Sequence, residues 1–137
     1  MEKKKQKKNE QKFIKGIVIH GEKIGRKLGF PTINIKPDKN QINAIEGVYA
    51  CKISLAGNED LYGILHYGSS PTFKREHKLI EVYVFDYESE LYDKEVEVEF
   101  ISYIRPTKKF SSKEEIIAQI TKDVLNARDI LKKRGAF

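Results

Sequence analysis

Apolar and polar residues alternate with a period of two through much of the chain. Between Lys94 and Ile104, Val96, Val98 and Phe100 fall on one side and Glu95, Glu97 and Glu99 on the other. That is the pattern of a half-buried antiparallel strand. Phe13–Ile19 reads as a strand, and so does Gly47–Leu55, with Tyr49, Cys51, Ile53 and Leu55 on one face. Leu61–Tyr67 follows the turn Gly57-Asn58-Glu59-Asp60, so the two runs around it predict a hairpin. Leu79–Tyr87 is a further strand. No long helical segment separates these runs, which argues against βαβ units and a parallel sheet. Several short antiparallel strands within about 90 residues predict a mainly β domain, a closed or nearly closed barrel.

The period changes near the C-terminus. Ile116, Ile117, Ile120, Val124, Ala127 and Leu131 recur at helical spacing. Ser112 with Glu115, or Ser111 with Glu114, offers a capping box, and Gly135 a stop. The apolar stripe of a single amphipathic helix has to be buried, and the barrel wall is the surface available for it. Residues 20–46 fit neither period; they hold Gly21, Gly25, Gly29, Pro31 and Pro37. An insertion of that length in a compact domain is usually functional or disordered.

Composition narrows the class. With 39% hydrophobic and 34% charged residues, the 137-residue chain fits one globular domain and excludes collagen-like or wholly disordered chains. No apolar run is long enough to span a bilayer, and the lysine-rich start has no apolar stretch behind it to make a secretory signal. Cys51 is the only cysteine, so an intramolecular disulfide is impossible. A small reduced cytoplasmic domain, a monomer without membrane contact, is the expectation. The net charge is +6, but residues 1–12 hold six of the lysines against two glutamates and supply most of it. They read as a solvated, disordered leader ahead of a domain at 13–137. Weak contact of this leader with nucleic acid is the sharper reading, disfavoured because no aromatic residue is interleaved before Phe13.

The chemistry is sought in His20–Ile35. Glycines let backbone amides approach a polyphosphate and adopt the positive φ of anion-cradling nests; Arg26 and Lys27 add cations beside them. The spacing is neither a Walker loop nor a dinucleotide fingerprint, and an ordinary glycine-rich surface loop fits it equally well. Pro31 keeps the chain extended, so Thr32 and Asn34 share one face while Ile33 points to the core. A hydroxyl and an amide oxygen side by side suit a hard cation such as Mg²⁺, which takes most of its ligands from phosphates and water. Two polar residues on a solvated edge is the competing reading.

The run GEKIGRKLGFPTINI resembles the nucleotide-binding signature of the bacterial-type riboflavin kinase domain, with its Pro-Thr-Ala-Asn core after a glycine-rich basic loop. Glu46-Gly47-Val48-Tyr49-Ala50 is similar to the family's Gly-Val-Tyr-Ala strand, and Gly68 to Phe73 to its Gly-x-x-Pro-Thr-Phe turn. Glu81 to Tyr87 is similar to its Glu-x-His-x-Leu-Asp-Phe strand. Ile104-Arg105-Pro106 with Lys109-Phe110 resembles its Leu-Arg-x-x-x-x-Phe segment, and Gln119-Ile120 with Asp123 its last helix. The blocks keep family order from about residue 14 to 131.

The resemblance implies a six-stranded antiparallel Greek-key barrel with one C-terminal helix. It implies transfer of the ATP γ-phosphate to the 5′-hydroxyl of riboflavin, giving FMN and ADP. By position, Gly21, Gly25, Arg26, Lys27 and Gly29 would cradle the nucleotide, and Thr32 and Asn34 would hold Mg²⁺ and the phosphates. Glu81 would be the general base, and Arg105, Phe110 and Tyr83 would flank the flavin. A non-catalytic flavin-binding or RNA-contacting module on the same barrel is the alternative.

The chain departs from the family at several positions. Ile33 replaces the usual Ala. Tyr83 stands in place of a common His, His66-Tyr67 in place of Asn-Ile, and Ser70 in place of Arg. Asp93 occupies a usual Gly, a change expected to bear on that turn, and Thr107 a position that is commonly acidic. Many bacterial members carry an FAD synthetase module; about a dozen residues precede the first strand here, so these residues are not expected to make FAD. His20, His66 and His77 are too scattered for a metal triad, and Cys51 falls on the apolar face as a small core residue.

Overall fold

The computed structural model describes residues 13–19, 29–38, 44–55, 60–69, 78–87 and 93–136. The strands are β1 (Phe13–Ile19), β2 (Ile33–Pro37), β3 (Gly47–Leu55), β4 (Asp60–Ser69), β5 (Lys78–Val84) and β6 (Glu95–Arg105). They close into a barrel in the order β1-β2-β5-β4-β3-β6, with antiparallel neighbours throughout. Strands β3, β4 and β5 form a meander, and β6 returns beside β3, which is a Greek key. One helix, α1 (Lys113–Lys133), follows.

Two expectations need correction. Residues 20–46 contain a strand after all, because Ile33–Pro37 pairs with both β1 and β5. The run read as a strand to Tyr87 ends at Val84, where the chain turns through Asp86 at φ 58°. The turn Gly57-Asn58-Glu59 lies outside the described residues, but its two flanking strands pair as the hairpin requires.

Alternation decides what fills the barrel. Val18, Ile35, Cys51, Ile53, Leu65, Ile80, Val82 and Val98 point inward and are fully buried, with Phe100 and Tyr49 ring to ring among them. Burial in this interior pushes the Cys51 thiol pKa up, so it stays protonated and inert. Gly63 on β4 is a close-approach position: a Cβ there would run into the Tyr83 carbonyl on β5. Gly63→Ala is therefore expected to cost about 1–3 kcal/mol by overpacking, read as a lower urea midpoint.

The outer face of β3, β4 and β5 carries a second apolar cluster. Val48, Ala50, Ile64 and Phe85 pack against Ala127 and Leu131 of α1. Strand β6 contributes through two register shifts opposite β3, at Val48/Tyr49 and Ala50/Cys51. The residues left over, Ile101 and Ile104, join the helix side. The helix is stopped at both ends. Ser112 Oγ accepts from the Glu115 amide at 3.2 Å, and Glu115 Oε1 accepts from the Ser111 amide at 2.9 Å. At the C-terminus, Gly135 takes φ 84°, and the Gly135 and Ala136 amides donate to Lys132 and Leu131, a Schellman turn.

Candidate active site

The register brings the candidate residues together. Asn34 on β2 lies directly opposite Glu81 on β5, and Glu81 lies opposite His66 on β4. Directly opposed residues point to the same side, with Cβ atoms about 5 Å apart. Their neighbours Ile35, Ile80, Val82 and Leu65 fill the interior, so Asn34, Glu81 and His66 form a row on the outer face. Asn34 is only 5% exposed although it is polar, and Glu81 is half-buried beside it.

Thr32 immediately precedes β2 and is half-buried. The Phe30 ring meets the Tyr83 ring edge-on at 5.5 Å, and Tyr83 meets Phe85 at 5.8 Å. Residues 30 and 34 thus both lie on the outer side, and continuing the alternation of β2 back by one residue would put Thr32 there too. Ile33 packs on the barrel interior, away from the polar row. Gly29 adopts φ 92° in open space, a conformation that a side chain would strain. Gly21, Gly25, Arg26 and Lys27 lie outside the described residues, as does Ser70.

Arg105 and Phe110 sit further along. Arg105 ends β6 and is held by a carboxylate: its Nε donates to both Asp123 oxygens at 2.9 and 3.0 Å, and its Nη2 donates to Oδ2 at 2.7 Å. Asp123 is 1% exposed and also accepts from Gln119 Nε2 at 2.9 Å. A buried carboxylate bonded to a half-buried guanidinium at this many points fixes the geometry of both. Arg105 therefore clamps the helix to the sheet and, through Nη1 on the Pro106 carbonyl at 2.9 Å, starts the loop that leads to Phe110. Phe110 is half-buried near the helix start, with Lys108 Nζ 5.9 Å from its ring centre.

His66, which the sequence singles out only as too far from the other histidines for a metal triad, lies in the polar row opposite Glu81. Its Nε2 is 3.1 Å from Thr107 Oγ1. Burial holds its pKa below the ordinary value, the Arg105 cation adds to this, and Glu46 opposes it. The native state thus binds a proton less readily than the unfolded chain. The stability this affords is complete above the ordinary histidine pKa and is lost as pH falls through the folded value. The urea midpoint should therefore drop more between about pH 7.5 and pH 5 in the wild type than in His66→Gln.

The residues fit a hard cation in a restricted sense. Thr32 and Asn34 offer neutral oxygens, and among the described residues no cluster of three or more His, Cys, Asp or Glu could hold a metal by itself. An ion bound there would need ligands from phosphates and water, which is the habit of Mg²⁺. A cleft of about 360 Å³ lies elsewhere, lined by Lys15, Asp38, Ser54, Glu95 and Glu97 among others. None of the candidate residues lines it, and three carboxylates against one lysine repel a polyphosphate.

Asp93 stands where the resemblance calls for glycine. It takes φ 68°, the left-handed conformation that Asp tolerates better than most residues, and its amide donates to the Val18 carbonyl at 2.8 Å.

Solved structures place the fold first. The fold is similar to that of a riboflavin kinase from Trypanosoma brucei, with TM-score 0.61 and 24% identity over 88% of this chain and 80% of that one. It is also similar to a crystal structure of a macrolide-efflux protein from Streptococcus pneumoniae, with TM-score 0.77 and 28% identity over 85% of this chain and 38% of that one. Sequence relatives give the family. The chain is 44% identical over 115 residues to a bifunctional riboflavin kinase/FMN adenylyltransferase of Haemophilus influenzae, and 42% identical over 115 residues to that of Listeria monocytogenes. These matches cover 84% and 83% of this chain, which spans only 37% and 36% of those proteins. The family model described as Flavokinase: Riboflavin kinase matches residues 8–131, and the chain belongs to that riboflavin kinase family of transferases. Among the described residues no helix is long and apolar enough to cross a membrane.

Proposed function

We propose that this chain transfers the γ-phosphate of ATP to the 5′-hydroxyl of riboflavin, giving FMN and ADP, with residues 13–137 as the kinase domain. The observation that carries the reading is the pairing of Asn34 with Glu81 on one outer face, in a chain of the riboflavin kinase family. A primary alcohol is a weak nucleophile, and a carboxylate within hydrogen-bond reach can take its proton as the phosphoryl group moves. Glu81 is the candidate for that role. Thr32 and Asn34 present neutral oxygens next to it, where they orient the terminal phosphates and would hold Mg²⁺. When bound, that ion neutralises the charge on the transferring group, which is where most of the catalysis of a loose phosphoryl transfer comes from.

The remaining residues position the substrates. Gly29 gives the nucleotide loop a backbone that can turn amides toward phosphate. Tyr83, between Phe30 and Phe85, continues the Glu81 face as an aromatic wall for a flavin ring. Arg105 and Phe110 flank it from the β6–α1 side, with Arg105 immobilised by Asp123.

Incubation of the full chain with riboflavin, ATP and Mg²⁺ should produce FMN and ADP in equal amounts. Flavin binding with no ADP released over a range of nucleotides and divalent ions would leave the binding-module alternative instead.

A further inference from the structure

We propose that His66 is a positioning residue for the flavin: its bond to Thr107 docks the loop at residues 106–110 against the Glu81 face and thereby sets riboflavin affinity. The proposal rests on the kinase reading above.

Three observations lead to it. First, His66 is the neighbour of Glu81 in the outer row, so it stands one strand from the candidate base. Second, Val48 separates His66 from Arg105, being opposite His66 on one side and opposite Arg105 on the other. The two backbones are therefore two strand spacings, roughly 10 Å, apart. Yet Thr107, two residues beyond Arg105, reaches His66 Nε2 at 3.1 Å. The chain leaving β6 thus doubles back across β3 toward β4, in the direction of Glu81.

Third, among the described residues few other hydrogen bonds hold the loop over the sheet. Among the described residues no backbone–backbone hydrogen bond ties residues 106–111 to a strand. Arg105 Nη1 holds Pro106 at the loop's root, and Lys108 Nζ reaches Gln119 Oε1 on the helix at 3.4 Å. The His66–Thr107 bond is the contact that comes from the far side, from β4. Its two partners are 41 residues apart in sequence, so it ties the loop to the barrel and not to its own neighbourhood. A neutral imidazole can donate to or accept from the hydroxyl, and burial with Arg105 nearby favours that neutral form while Glu46 opposes it.

Steady-state kinetics of the full chain, with riboflavin varied at saturating MgATP, test the proposal. Thr107→Val and His66→Ala should each raise the riboflavin KM about three- to tenfold, the range of one exposed hydrogen bond, with kcat held within about twofold. The double variant should be no worse than either single one, because both remove the same bond. His66→Gln, whose amide reaches the position of Nε2, should restore most of the affinity, whereas the shorter His66→Asn should not. Thr107 is at the surface, so its variant should keep the wild-type melting transition. Unchanged KM in Thr107→Val, losses that multiply in the double variant, or a fall in kcat with KM intact would each overturn the proposal while leaving the kinase reading in place. A wild-type chain that makes no FMN would instead overturn the kinase reading and this proposal with it.

Discussion

Replacing Glu81 with glutamine should lower kcat by about 10²- to 10⁴-fold, the usual worth of a general base, while the riboflavin KM moves little. Glutamine keeps the shape of the side chain and removes its charge and basicity, exchanging one acceptor oxygen for an amide donor. The backbone pairing of β2 with β5 that sets the position of residue 81 does not depend on its side chain. Asn34→Ala should act differently. It removes an oxygen that the proposal gives to the phosphates and the cation, so the KM for MgATP should rise together with the loss of turnover. Because phosphoryl transfer depends more on positioning and charge neutralisation than on proton removal, the joint variant Thr32→Ala/Asn34→Ala should lose more kcat/KM than Glu81→Gln. If Glu81→Gln instead weakened flavin binding and turnover by the same factor, Glu81 would be a binding group and not the base. Single-turnover assays that separate the chemical step from binding distinguish the two.

The largest effect on stability should come from Asp123→Ala, expected to cost about 3–5 kcal/mol. The carboxylate is 1% exposed and bonds Arg105 in three places and Gln119 in a fourth. Its removal leaves a half-buried guanidinium without its counter-charge and a gap between helix and sheet. A chain of this size should then melt roughly 10 °C or more below the wild type in a calorimetric or circular-dichroism scan. The partner change tests the mechanism. Arg105→Met combined with Asp123→Leu should recover much of the loss, because well-packed apolar replacements avoid the desolvation of an ion pair. Recovery of stability without recovery of riboflavin affinity would show that Arg105 serves the loop as well as the helix clamp.

Most of the barrel was legible from alternation. On β6, three valine and phenylalanine positions against three glutamates leave one orientation possible, and the structure has it. β3 was equally plain, since its inward residues are apolar without a break. The helix was readable because cap, stripe and stop agree with one another. β2 was not. It has five residues, it ends on Pro37, and it follows a glycine-rich stretch, so its local signal is that of a loop. It is a strand because β1 and β5 supply partners on both sides, which is non-local information.

The same limit applies to the site. The pleat alone predicts that Thr32 and Asn34 share one face. That Glu81 stands across from Asn34 depends on the β2–β5 register, which no local pattern encodes. The Arg105–Asp123 clamp did leave a trace. Asp123, Ala127 and Leu131 are the buried residues of the helix and recur every four positions, so an acid occupies a place on the apolar stripe. An acid there requires a cation or donor beside it, and the structure supplies Arg105. The His66–Thr107 bond left no such trace, because both residue types are ordinary at a surface.

The most direct test is a crystal structure of the chain with ADP, Mg²⁺ and FMN. The predicted result puts the end of the ADP phosphates over Thr32 and Asn34 and the FMN phosphoester beside the Glu81 carboxylate, on the outer face of β2 and β5. Finding the ligands instead in the cleft of Lys15, Asp38 and Glu97, with Asn34 and Glu81 touching neither phosphate nor flavin, would contradict it.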